Sequence, residues 1–157
     1  MSEKEQESTE LDDLVESIMS VLDAEDSKIY SQEVIAEFKN PANVGVVENA
    51  DGTGISDGLC NDTMEMTLKL DGDRIAECMF FTDGCGATIA CGSRLTKIAV
   101  GRTVEEALDI QPEELAAALG GLPEEHRHCA TLAVIALRNA VRNCEKRREQ
   151  DMEGESP

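Results

Sequence analysis

The sequence predicts an α+β fold, in which a small antiparallel β-sheet of about three strands packs against several helices. Strand patterns come first along the chain and helical patterns follow, with a long helix near the carboxyl end. Apolar residues make up 41% of the 157 residues but aromatic residues only 3%, so the core must be aliphatic. We assign residues 28–148 to one domain, between an acidic N-terminal extension at 1–27 and a polar tail at 149–157.

Two helices are predicted ahead of the sheet. Apolar residues at helical spacing between 11 and 22 indicate an amphipathic helix in the extension, which docks either on its own domain or on a partner. The second helix carries Val34, Ile35 and Phe38 on one face. It ends near residues 40–41, because the residue before a proline resists helical backbone angles.

The next segment predicts a loop followed by a β-hairpin. Residues 41–62 are rich in Gly, Asn and Asp, which favours a loop with a short edge strand at 45–49. Residues 63–84 alternate apolar and polar side chains around an Asp-Gly-Asp turn. The residues predicted to face the core are Met64, Met66, Leu68 and Leu70 on the first strand and Ala76, Cys78 and Phe80 on the return strand.

Helical patterns fill the rest of the chain. A helix starting at Gly86 is expected to stop at Gly101, and Thr103 with Glu106 has the spacing of a capping box. Pro112 suits the first turn of a further helix. Pro123 is predicted to open the last and longest helix.

Charge and cysteine content narrow the classes of function. A net charge of −19 excludes nucleic-acid binding through phosphate neutralisation. It favours partners with basic surfaces, but it is equally typical of a protein adapted to stay soluble or to work in a salty cytoplasm. Neither a secretory signal nor a membrane span is recognisable, so we expect a cytoplasmic protein without membrane association. Because the cytoplasm keeps thiols reduced, six cysteines favour metal, redox or sulfur chemistry.

The hairpin brings two of the cysteines together. Cys60 lies 12 residues before Gly72 and Cys85 lies 13 residues after it, so both belong at the open end of the hairpin. Cys85 is flanked by glycines at the start of a helix, where the backbone can approach an ion and a thiolate is favoured. Asp62 adds an oxygen ligand beside them.

A soft-metal site needs about four ligands, and His128 and Cys129 in the first turns of the last helix can complete the set. The set fits zinc, and it equally fits a [2Fe–2S] cluster with one non-cysteine ligand. Cys91 turns to another helix face but can lie near the site, whereas Cys144 is too far from Cys129. We interpret Cys78 as a core residue, and His126 as a solvent residue because it does not share a helix face with His128.

Four segments resemble the IscU/NifU N-terminal family of iron–sulfur cluster assembly scaffolds: "YSQEVIAEFKNPANVG", "CND", "FTDGCGATIACGS" and "LPEEHRHCATLA". They occur in the order and spacing of that family, over about residues 29–145. The resemblance implies a scaffold rather than a turnover enzyme. Such a scaffold takes iron and the sulfur of a cysteine desulfurase, holds a transient [2Fe–2S] cluster and passes it to apo-proteins. An electron donor such as ferredoxin and a homodimer are also implied.

The resemblance assigns roles to individual residues. Cys60, Cys85 and Cys129 match the three family cysteines, and Cys129 matches the acceptor of persulfide sulfur. Asp62 matches the aspartate whose replacement stabilises the bound cluster, and His128 matches an alternate ligand. Tyr30 matches a tyrosine linked to dimer contacts and sulfur handling.

The sequence departs from the family pattern at three positions or segments. Cys-Gly-Asp reads "CND", and we expect the asparagine to adopt the left-handed conformation that glycine takes more easily. The Leu-Pro-Pro-Val-Lys chaperone signal reads "LPEEH", and His126 stands where a lysine is usual. The LPEEH change places recognition by the specialised chaperone in question, and the histidine at 126 does the same for any role of the lysine's charge.

Two other functions use the same residues. A zinc-dependent sulfurtransferase resembling SufU would bind zinc in the Cys/Asp shell and exchange persulfide with the desulfurase. That branch has an insertion before the last helix and usually lacks the histidine at 128, so the sequence favours the scaffold. A purely structural zinc module would leave the glycine-flanked, acid-containing site without a purpose.

Overall fold

The computed structural model describes residues 10–18, 29–58 and 61–154, with side chains described as far as Asp151. These residues fall into two units divided between Tyr30 and Ser31. In the first unit residues 10–18 are helical, in agreement with the predicted amphipathic helix. Whether that helix docks on its own domain or on a partner stays a prediction. None of the helices in the described ranges combines the length and apolar character needed to cross a bilayer.

The second unit contains three strands and several helices, which confirms the predicted α+β class. The helices are α1 Gln32–Lys39, α2 Gly86–Ala99, α3 Val104–Leu108, α4 Pro112–Ala118, a 3-10 helix Glu124–His126 and α5 Arg127–Gly154. The strands are β1 Gly52–Asp57, β2 Thr63–Asp71 and β3 Arg74–Thr82. They form one antiparallel sheet in the order β1-β2-β3. Helix α5 continues through residues 149–154 of the predicted polar tail.

Capping side chains and prolines mark the starts of several helices. Ser31 accepts a hydrogen bond from the Val34 backbone N–H at the start of α1. Thr103 and Glu106 form the predicted capping box of α3, and Pro112 lies in the first turn of α4. Pro123, however, opens the 3-10 helix rather than α5, which begins at Arg127. The prediction of one continuous helix from Pro123 was therefore wrong, and this matters for the orientation of the preceding histidine.

The first strand was not predicted, because its glycines favour a loop in the sequence. In the structure these glycines allow the strand to pack closely against a helix. The edge strand predicted at 45–49 is wrong, since that segment is a loop preceded by an isolated bridge between Val44 and Phe80. The first strand lies instead at 52–57, against α5. A Cβ atom at Gly54 would lie 2.2 Å from the backbone oxygen of Ala136, so only glycine permits this approach.

A β-bulge changes which residues of the return strand are buried. Met64, Met66 and Leu68 are buried as predicted, and so are Cys78 and Phe80. The register shifts between Lys69 and Leu70, so Ile75 rather than Ala76 turns inward near the hairpin turn. Strict alternation could not reveal this change, which corrects the predicted burial of Ala76.

Helix α1 is attached to α2 through a buried carboxylate. Glu37 is 4% exposed and accepts hydrogen bonds from Ser93 and from Lys97 Nζ at 2.8 Å. Arg94 Nε lies 3.3 Å from the same carboxylate. Burial raises the pKa of Glu37, but the hydrogen bonds and positive charges outweigh it and hold the pKa below its usual value.

Candidate metal and cluster site

The open end of the hairpin carries one side of the site. Met64 pairs with Thr82, so the residues just before β2 lie across from those just after β3. The Thr63 backbone N–H donates to Asp83 Oδ1 at 2.8 Å and closes this end. Asp62 and Cys85 thus belong to the same end of the sheet, as the hairpin arithmetic predicts. Cys60 lies outside the described residues, so its predicted place at the site stays a prediction.

The loop before β2 leaves space for the Asp62 carboxylate. Asn61 has a φ of 60°, which confirms the expected left-handed conformation. The Gly58 backbone N–H donates to the Asp62 carbonyl oxygen at 2.7 Å. A Cβ atom at Gly58 would lie 2.2 Å from Asp62 Oδ1, so glycine leaves space for the carboxylate. Asp62 is 8% exposed, and its Oδ1 atom is buried without a hydrogen-bond partner among the described residues.

Cys85 is the exposed thiol of the site. It is the N-cap residue of α2, with Gly84 and Gly86 on either side. Burial of part of the sulfur raises the Cys85 pKa, but hydrogen bonds from the Thr88 hydroxyl and from the Ala87 and Thr88 backbone outweigh it. The net effect is a lowered pKa, so Cys85 is the readier of the described site cysteines to become a thiolate.

His128 and Cys129 come from the first turn of α5. Cys129 is fully buried, and its Sγ atom lies 3.7 Å from His128 Nε2. Desolvation raises the Cys129 pKa to about 11, with the charges of Cys85 and Asp62 adding to the effect and a Thr88 hydrogen bond opposing it. Without a bound cation Cys129 is therefore a protonated thiol at neutral pH.

Thr88 connects the two sides of the site and was missed by sequence reasoning. Its Oγ1 atom lies 3.3 Å from both Asp62 Oδ2 and Cys129 Sγ, and 3.6 Å from Cys85 Sγ. Because a hydroxyl has one proton, it donates to one of these acceptors at a time. Its position three residues after Cys85, one turn along α2, was the available signal.

His126 is at the site and is not the solvent residue we predicted. Its ring centroid lies 6.4 Å from that of His128, with an angle of 28° between the ring planes. The prediction assumed α-helical geometry, in which residues two apart diverge, but His126 ends the 3-10 helix before α5 begins. It is half-buried and lines a cavity of about 480 Å³ with Asp62, Cys85 and His128.

The ligand atoms fall into two groups of three. One consists of Cys85, His126 and Cys129, and the other of Asp62, His128 and Cys129. Within each group all the ligand atoms lie within 4.8 Å of one another. Thiolate, imidazole and carboxylate ligands suit zinc and iron. The Oδ1 atom of Asp62 is available to such an ion, since it has no hydrogen-bond partner among the described residues.

The other described cysteines belong to neither group, although Cys91 lies close enough for the charges of Cys129 and Cys85 to act on it. Cys78 is buried in the core as predicted, and burial raises its pKa to about 12. Cys144 is buried on α5 beside β1, where a Cβ atom at Gly52 would lie 2.2 Å from its sulfur. Cys91 is buried in α2; burial raises its pKa, and the charges of Cys129 and Cys85 raise it further. These surroundings are those of small core residues rather than reactive thiols.

Comparison with known proteins places this site in a known family. Residues 29–151 match the model of the NifU-like N terminal domain family. The iron–sulfur cluster assembly scaffold protein IscU 1 of Archaeoglobus fulgidus is 46% identical over 114 residues, which cover 72% of this chain and 74% of that protein.

Solved structures agree on the fold. The N-terminal part of a NifU-like protein from Brucella abortus has a TM-score of 0.60 at 20% identity, covering 75% of this chain and 95% of that one. A putative scaffold protein for the SUF system from Fervidobacterium islandicum has a TM-score of 0.59 at 22% identity, covering 73% and 97%. At these identities both structures support the fold alone.

Proposed function

Because the chain belongs to the NifU-like N-terminal domain family, we propose that it is a scaffold for assembling iron–sulfur clusters and delivering them to apo-proteins. The observation that carries the proposal is the convergence of Asp62, Cys85, His128 and Cys129 at the open end of the β2–β3 hairpin. The matched segment includes all four residues, and a relative at 46% identity is named as such a scaffold.

Cys129 is the proposed entry point for sulfur. Its thiolate attacks the outer sulfur of a desulfurase persulfide, giving a Cys129 persulfide and a desulfurase thiolate. Because the resting Cys129 has a pKa of about 11, its proton must leave first, and His128 Nε2 at 3.7 Å is placed to receive it. Two electrons and a proton then release hydrosulfide and restore the Cys129 thiolate, with a donor such as a ferredoxin supplying the electrons.

The proposed cargo is a [2Fe–2S] cluster on the thiolates of Cys60, Cys85 and Cys129, completed by Asp62 or His128. A carboxylate or imidazole in place of a fourth thiolate eases ligand exchange, which suits a cluster that must leave. Zinc can occupy the same ligands in the cluster-free form. In both cases protons compete with the metal for the thiolates, so binding weakens as the pH falls.

The proposed partners are a cysteine desulfurase and apo-protein acceptors. The net charge of −19 favours docking on basic surfaces of these proteins. The protein then works as a carrier rather than a turnover enzyme. We place it in the cytoplasm, where the reduced thiols that it needs are maintained.

Anaerobic reconstitution tests the proposal. Metal-free protein is incubated with a desulfurase, cysteine, ferrous iron and a thiol reductant, while the visible spectrum is recorded. We expect the absorption of a [2Fe–2S] cluster, transfer of the cluster to an apo-ferredoxin, and loss of both in Cys129→Ser. Absence of a cluster band, with tight zinc binding and faster desulfurase turnover, would instead favour the zinc-dependent sulfurtransferase.

A further inference from the structure

We infer that His126 is an additional metal ligand and that the chain offers an iron or zinc ion two overlapping ligand sets that share Cys129. The outer set is Cys85, His126 and Cys129, and the inner set is Asp62, His128 and Cys129. The inference deepens the proposed function and rests on it, since it concerns how the scaffold takes up and holds its metal.

Distances support both sets equally. Each brings three ligand atoms within 4.8 Å of one another. Ligand atoms about 2.0–2.3 Å from a tetrahedral ion lie roughly 3.5 Å apart, so side-chain movements of about 1 Å close either set. Because Cys129 belongs to both, an ion can pass from one set to the other while this sulfur stays bound.

The two sets also match in charge. Once the thiols lose their protons, each set has two anionic ligands and one neutral imidazole, which together balance the charge of a divalent ion. Neither set is therefore favoured by charge alone. Exchange between them costs little electrostatic energy, as a site that fills and empties requires.

The solvent exposure of the ligand side chains indicates which set an incoming ion reaches first. Cys85 of the outer set is exposed, whereas Asp62 of the inner set is 8% exposed. Both histidines are half-buried, and the shared Cys129 is fully buried. An ion arriving from solvent therefore meets Cys85 first, and His126 belongs to the set that contains this exposed thiol.

The 3-10 helix is what brings His126 to this set. The His126 backbone N–H donates to the Pro123 carbonyl oxygen at 2.8 Å, which fixes the tight turn before α5. In that turn the His126 ring lies 6.4 Å from the His128 ring, on the wall of the cavity that both line. An α-helical turn would carry the two imidazoles to different faces.

Cobalt(II) titration of the metal-free protein under anaerobic conditions tests the inference. The variants are His126→Ala, His128→Ala and the control Glu125→Ala, whose side chain lines the same cavity outside both sets. Proton NMR of the cobalt form reports each bound imidazole as a strongly shifted, exchangeable N–H signal. Zinc dissociation constants come from competition with a chromophoric chelator, and circular dichroism checks folding.

We expect two shifted imidazole signals in the unaltered protein and one in each histidine variant. Because the two sets are of similar strength, losing one of them should weaken zinc binding only about twofold in either histidine variant, and Glu125→Ala should leave it unchanged. If His126→Ala keeps both the zinc affinity and all shifted signals of the unaltered protein, His126 is not a ligand and the inference fails. The titration involves no desulfurase, so a failure of cluster assembly in the reconstitution would be seen separately.

Discussion

Thr88 Oγ1 lies 3.3 Å from Cys129 Sγ and thereby connects the first turn of α2 to the first turn of α5 at the candidate metal site. The same hydroxyl lies 3.3 Å from Asp62 Oδ2. A Cβ atom at Gly84 would lie 2.7 Å from the Thr88 Cβ atom, so glycine keeps this position open. Thr88 is a positioning residue for the proposed site, because it contacts two of the proposed ligands and is not itself one of them.

Replacing Thr88 by valine removes the hydroxyl and nearly conserves the volume. We expect zinc to bind about tenfold more weakly, as is typical when a hydrogen bond that orients a ligand is lost. The pKa of Cys129 should also rise further, since the hydrogen bond that lowers it disappears. Chelator competition measures the affinity, and Thr88→Ser, which keeps the hydroxyl, should bind zinc as the unaltered protein does. Equal affinities for Thr88→Val and Thr88→Ser would contradict this role.

Thiol alkylation should separate the described cysteines by pKa and exposure. In metal-free protein at pH 7, iodoacetamide should label Cys85 first, because it is exposed and its pKa is lowered. Cys129 should react slowly, and its rate should rise about tenfold per pH unit until the pH approaches its pKa of about 11. Cys91 is equally buried and its pKa is raised further, so it should react more slowly than Cys129.

Peptide mapping by mass spectrometry gives the labelled fraction of each cysteine with time. Prior addition of zinc should protect both Cys85 and Cys129, which distinguishes metal ligation from simple burial. If Cys129 is labelled as fast as Cys85 at pH 7, the two thiols do not differ in reactivity and the prediction is wrong.

Much of the site was predictable because short-range rules govern it. Hairpin register placed Asp62 and Cys85 at one end, and the adjacent His128–Cys129 pair was predicted from its position in the first turns of the last helix and matched the family resemblance. His126 and Thr88 escaped prediction for different reasons. The orientation of the His126 side chain depends on where the 3-10 helix ends and the α-helix begins, which Pro123 alone does not determine. The role of Thr88 depends on contacts with two distant segments.

Gly54 shows why the first strand was mistaken for a loop, and it gives a stability prediction. Gly54→Ala should lower the free energy of unfolding by about 3 kcal/mol, because the methyl group collides with the backbone of α5. Gly72→Ala is the control, since a Cβ atom there meets nothing within 4 Å. Its φ of +63° should cost only about 1 kcal/mol. Urea denaturation measures both, and equal losses would contradict the close approach of β1 and α5.

Glu37 should make stability depend on pH. Its folded pKa lies below the unfolded value near 4.5, so its stabilising contribution is complete above pH 4.5 and is lost as the pH falls through the folded pKa. Glu37→Gln should therefore lower the unfolding free energy by about 2 kcal/mol at pH 7 and by progressively less below pH 4.5. Glu33→Gln, on the exposed side of α1, is the control. A loss of stability that stays constant from pH 7 to pH 3 would argue against a charged Glu37 in the folded state.

Asp62→Ala should lengthen the lifetime of a bound cluster. The Asp62 charge raises the pKa of Cys129, so its removal favours the Cys129 thiolate and strengthens that ligand. It also removes an oxygen ligand that exchanges more readily than sulfur, and leaves His128 to complete the shell. We expect about tenfold slower loss of the visible cluster band in the presence of a chelator. Glu125→Ala, which removes an exposed carboxylate on the wall of the same cavity, should change the rate little. If Asp62→Ala instead prevents assembly, Asp62 is an essential ligand and cluster lability must have another origin.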